Sequence, residues 1–146
     1  MSNDIMAKVG SWAFIIGIVI ALIFGLWHAV TYEDSLNTKI TMSETFFNTT
    51  NGGYVAWALV LIGLIVGILA VMGRGTITKS EVPGFLLAGI ALVVMGGVFP
   101  NLVAVYSIQP LIGSLLVGIS VSLAIFVAPA VGILAIKAVW DMGKEV

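Results

Sequence analysis

The side chains that could do chemistry are few, and their spacing suits little of it. The chain of 146 residues holds six lysines and arginines, seven aspartates and glutamates, one histidine and no cysteine. Without cysteine there is no disulfide, thiolate metal site, iron–sulfur cluster or cysteine nucleophile. His28 has no second histidine with which to build a metal cluster, and no other histidine can serve as base for a serine nucleophile. No glycine-rich loop precedes a lysine in the P-loop pattern. The net charge of −1 offers no basic footprint for nucleic acid. The expectation is a non-enzymatic protein with no cofactor, no metal and no nucleic-acid partner; no small-molecule substrate can be named.

The reason lies in the elements that carry these residues. Hydrophobic residues make up 60% of the chain and charged ones 9%, with a mean hydropathy of +1.19, more apolar surface than a water-soluble core can hide. Four apolar stretches, at about 9–30, 54–72, 83–99 and 111–138, match the roughly 20 residues needed to cross the hydrocarbon of a bilayer. The predicted fold is all-α, a polytopic membrane four-helix bundle in one domain, with a polar outer loop at 31–53. The first stretch exceeds the 7–15 residues usual for a signal peptide, and Trp27-His28-Ala29-Val30 is a poor cleavage motif, so a retained span is expected.

No carboxylate, lysine or histidine falls in the middle of any span, which removes most support for proton relays and for charged selectivity rings. Ser114, Ser120 and Ser122 lie within the fourth span. They leave open a pore lined by hydroxyls, or hydroxyls bonded to their own helix. His28, beside Trp27, reads either as a surface pH-responsive group or as an interfacial histidine among headgroups. Lys137 is expected to snorkel towards the phosphate layer.

Punctuation between the spans is clear in places. Gly73-Arg74-Gly75 should break the second helix, Ser80 could cap the third with Glu81 and Pro83 in its first turn, and Pro100-Asn101 should end it. Residues 101–110 suit a turn or short interfacial helix. Pro129 predicts a kink in the fourth span. Trp12, Trp27, Tyr54 and Trp57 mark interface levels. In the outer loop, Asn48-Thr49-Thr50 matches the N-glycosylation pattern, and 38–47 reads as a short hairpin or a solvated loop whose Phe46 and Phe47 dip into the interface. Lys8, Arg74, Lys79, Lys137 and Lys144 fall on one side of a four-span arrangement and Lys39 on the other. The positive-inside rule then puts both termini in the cytoplasm and the protein in the cell membrane.

Small residues recur every four positions. They form ridges at Ala13, Gly17, Ala21 and Gly25, at Gly63 and Gly67, at Ser114, Gly118 and Ser122, and at Ala124, Ala128 and Gly132. Residues i and i+4 share a helix face, so each ridge lets another helix come close, within the subunit or between subunits. The leading expectation is a structural or assembly protein whose partners are membrane lipids and further copies of itself. On that reading, Gly17→Leu or Gly63→Leu breaks the oligomer and leaves the monomer inserted. The alternatives are a small channel or carrier for uncharged or hydrophobic solutes, or an accessory subunit of a larger complex.

Two stretches, MAKVGSWAFIIGIVIALIFGL and FVAPAVGILAIKAVWDM, together with LVLIGLIVGILAV and PGFLLAGIALVVMGG between them, cover just under half of the chain. Their wording resembles that of small four-span membrane protein families of archaea. Ala128-Pro129-Ala130 and the Lys137–Trp140 pattern are the most distinctive parts. The outer loop is longer than in that group. The resemblance implies a four-span fold and brings no activity with it.

Overall fold

The computed structural model describes residues 2–36, 47, 50–73, 77, 81–106 and 110–144. Helices α1 (Ser2–Leu36), α2 (Thr50–Val71), α3 (Val82–Tyr106) and α4 (Pro110–Lys144) account for nearly all of them. Each helix is apolar on every side through its central part. An apolar chain in lipid must satisfy its backbone N–H and C=O groups internally, and a helix does this within one segment. Among the described residues, four helices are long and apolar enough to cross a membrane, at Lys8–Trp27, Thr50–Val71, Val82–Pro100 and Ile112–Lys144.

Several helices outrun their expected spans. α1 and α4 have 35 residues each, about 52 Å at 1.5 Å per residue, well beyond a single crossing. α1 carries Glu33 and Asp34 in helix, where the sequence had suggested loop. No glycine or proline falls between Leu26 and Asn51, so nothing stops the hydrogen-bond ladder where the apolar run ends. α3 does not end at Pro100 and Asn101 but runs through both to Tyr106. A proline inside a helix removes one bond and crowds the carbonyl four residues back. Here that carbonyl belongs to Gly96, and the Gly96-Gly97 pair gives the backbone room to adjust.

The break after α2 falls where the glycines predicted it. The Gly73 N–H donates to the Ala70 carbonyl at 3.0 Å and the Met72 N–H to that of Ile68 at 3.0 Å. Gly73 itself has φ of 67°, the left-handed residue that closes a helix end. α3 opens with the Phe85 N–H donating to the Glu81 carbonyl at 2.9 Å, and Pro83 sits in its first turn, where no donor is lost. The suggested cap Ser80, the hairpin at 38–47, Asn48, Lys39, Arg74 and Lys79 lie outside the described residues, save Phe47 at the end of that stretch.

Neighbouring contacts give the topology. Gly17 meets Phe126 while Gly25 meets Gly118, so α1 and α4 run antiparallel. Gly63 meets Phe126 while Gly67 meets Ala130, so α2 runs parallel to α4. Gly89 meets Val131 and Gly96 meets Ala124, so α3 is antiparallel again. The bundle runs up, down, up, down, and α1, α2 and α3 all pack chiefly on α4. In the apolar stretch of α4, 39% of residues are buried, against 6% in α3, so α4 is the axle and α3 the most peripheral helix. The core gathers Ala21, Leu59, Val66, Phe126, Val127 and Val131, with Phe47 of the connection between α1 and α2 packed against it.

Candidate functional site: small-residue contacts around the fourth helix

The small residues decide how closely the helices approach α4. A methyl group on Gly25 would stand 2.9 Å from the carbonyl oxygen of Gly118 and from the Cα of Ile119, and one on Gly67 would lie 2.8 Å from the Cα of Ala130. One on Gly17 would overlap the ring of Phe126, and one on Gly63 would overlap the Phe126 carbonyl oxygen and press on Cγ of Pro129. In lipid no hydrophobic force draws helices together, so the dispersion gained by such close approach carries much of the packing. Phe126, 1% exposed, is the knob that the Gly17 notch receives. Its ring also lies 6.0 Å from that of Phe14, which in turn meets Phe85 of α3 edge-on at 6.0 Å.

The ridges therefore divide into two groups. Gly17, Ala21, Gly25, Gly63, Gly67, Ser114, Gly118 and Ser122 are buried inside the protomer, Ala13 is half-buried against the core, and Ala124 is half-buried under Gly96. Ala128 and Gly132 face outward, with nothing within 4 Å of the position a methyl on Gly132 would take. Gly17→Leu and Gly63→Leu consequently act first on the fold of one protomer, not on contact between copies. Two further notches, Gly89 against Val131 and Gly96 against the Ala124 Cβ at 2.7 Å, escape a search for four-residue repeats. They are seven residues apart, two helical turns, and a seven-residue spacing would have found them.

The serines of α4 turn inward. Ser114, Ser120 and Ser122 are 1%, 4% and 0% exposed. The Ser122 hydroxyl donates to the Gly118 carbonyl at 2.7 Å and that of Ser120 to the Leu116 carbonyl at 2.5 Å, each four residues back on the same helix. Because each carbonyl keeps its own helical partner, Ser122→Ala should lower bundle stability by no more than about 1 kcal/mol. Thermal melting in detergent checks this, and a drop of several times that size would mean the hydroxyl holds something besides its own helix.

Pro129 lies inside α4, so the Ile125 carbonyl loses its helical donor at the level where α2 packs closest. At the end of the bundle that bears the chain termini, Lys137 pairs with Asp141 at 2.7 Å, and Lys144 stands 5.5 Å from the Trp140 ring centroid. Lys8 and Trp12 lie exposed one turn apart at the same end of α1. Among the described residues no three His, Asp or Glu come together as a metal site would require. The side chain of His28 lies outside the described residues.

Ile77 was not singled out by sequence. It is the one apolar residue between Gly73 and Glu81 other than glycine, and it is 8% exposed, tucked against Ala70 and Leu134. A lone isoleucine in an otherwise polar connection was the available signal.

Compared with protein-family models, with curated proteins and with solved structures, the chain matches none. The class that the fold itself defines is an all-helical bundle with four candidate membrane-spanning helices, which points to a multi-pass membrane protein.

Proposed function

We propose that the protein is a non-enzymatic structural or assembly component of the cell membrane, with both termini cytoplasmic, that self-associates through the small-residue face left uncovered on α4. The observation that carries this reading is the division of the ridges. Most are spent on packing within the protomer, whereas Ala128 and Gly132 sit one turn apart on the outward face of α4 with the Gly132 position open. Exposed small residues at that spacing let a second helix approach to backbone contact. The cationic residues Lys8, Lys137 and Lys144 on one end, with Trp12 and Trp140 beside them, support the cytoplasmic placement of that end.

The absence of cysteine gives a clean test. Gly132→Cys in native membranes should cross-link to a covalent dimer under mild oxidation, whereas Leu59→Cys, at a buried position, should not. Gly132→Leu should lower the oligomer fraction in native mass spectrometry and leave the melting temperature of the monomer unchanged. Monomers alone for the wild type in several mild detergents, with no cross-link by the Gly132→Cys variant in membranes, would refute self-association.

A further inference from the structure

The termini-bearing end of the bundle holds a crevice between the last turn of α2, the first turn of α3 and α4, with a volume of about 720 Å³. That is within the roughly 300–1,000 Å³ typical of small-molecule sites. Its accessible wall is apolar, made by Val71, Met72, Val82 and Ala138, and its rim is charged, made by Lys137 and Asp141. Behind that wall Ala70, Ile77 and Leu134 are nearly inaccessible, whereas the Lys137 and Asp141 side chains on the rim are 37% and 54% exposed.

Its level in the bundle narrows the ligand. α2 ends at Val71 and α3 begins at Val82, so the crevice opens where two candidate spans reach their ends. In a bilayer that level is the boundary between acyl chains and headgroups. A ligand suited to it joins one charged group to an aliphatic chain. The sign of the charge follows from the rim. The Lys137 ammonium has three donors and gives one to Asp141, leaving two for an acceptor.

We infer that this crevice binds an anionic phospholipid, with the phosphate at Lys137 and one acyl chain along Val71, Met72, Val82 and Ala138. The inference rests on the membrane residence proposed above but not on self-association, because one protomer builds the whole crevice.

Native mass spectrometry of the full chain, from micelles doped with phosphatidylglycerol or with phosphatidylcholine, tests it on the monomer peak. Phosphatidylglycerol should be retained in preference to phosphatidylcholine. Lys137→Ala should cut its retention about tenfold, the loss of one charge-assisted hydrogen bond. Asp141→Asn, which frees Lys137 from its partner, should strengthen retention, and Lys144→Ala, outside the crevice, should leave it unchanged. Lys137→Gln, which keeps the stem and loses the charge, should behave as Lys137→Ala does. Inorganic phosphate at millimolar concentration should not displace the lipid, because it has nothing to place on the aliphatic wall. Equal retention of the two lipids, wild-type retention by Lys137→Ala and Lys137→Gln, or displacement by phosphate would each overturn the assignment. A failure to dimerise in the cross-linking experiment would leave it standing.

Discussion

Gly63→Leu is expected to lower the stability of the bundle by at least about 3 kcal/mol, at the upper end of what overpacking a core costs. The reason is geometric. The first carbon of any side chain at position 63 would overlap the Phe126 carbonyl oxygen, and Pro129 closes the site from the other side. A flexible side chain in the way could swing aside, but a carbonyl in a helix moves only if α4 moves with it. α4 is the axle on which α1 and α3 also pack, so a shift there disturbs every interface. For a chain of this size the loss corresponds to a fall of about 10 °C in melting temperature. Tryptophan fluorescence during heating in a mild detergent reads it directly. A variant melting with the wild type would mean that α2 does not approach α4 as closely as Gly63 indicates.

Phe126→Ala should weaken the same centre from the opposite direction, by about 3–5 kcal/mol. Its side chain is 1% exposed and fills the notch over Gly17 while contacting Phe14. Truncation removes the knob and leaves the notch, and inside a close-packed bundle the neighbours relax only in part. Substitutions at Gly17 and Phe126 share one site, so their effects should not add. Gly17→Leu on the Phe126→Ala background should be far milder than Gly17→Leu alone, because the new side chain enters the vacated volume. Equal penalties on both backgrounds would show that Gly17 and Phe126 do not pack together.

How much of this was legible beforehand depends on which physical signal each feature leaves. The four apolar helices were, because length without charge is enough to identify a candidate span. The end of α2 was, because Gly73 adopts the one backbone conformation that other residues resist. The helix ends at Leu36 and Tyr106 were not. A change from apolar to polar composition marks where hydrocarbon should stop, but the helical hydrogen-bond ladder can run on past it, and even Pro100 did not end it. The partner of each small-residue ridge was also hidden. In a soluble helix the apolar stripe tells the inside from the outside. Here every face is apolar, so Gly63 and Gly132 look equally suited to close contact in the sequence, although one is buried against Phe126 and the other is open. Only the assembled bundle separates them.

The shortest helix sets a length scale for the surroundings. α2 has 22 residues, about 33 Å of rise, and a left-handed glycine closes its far end, while α1 and α4 have 35 each. The long pair can lean to suit hydrocarbon of various depths, but α2 is pinned to α4 at Gly63 and Gly67 and cannot lean by itself. Lipid thicker than α2 must therefore thin around the protein, at a fraction of a kcal/mol for each Å of mismatch. Among coexisting membranes of different thickness, the chain should partition towards those that fit α2 without deformation.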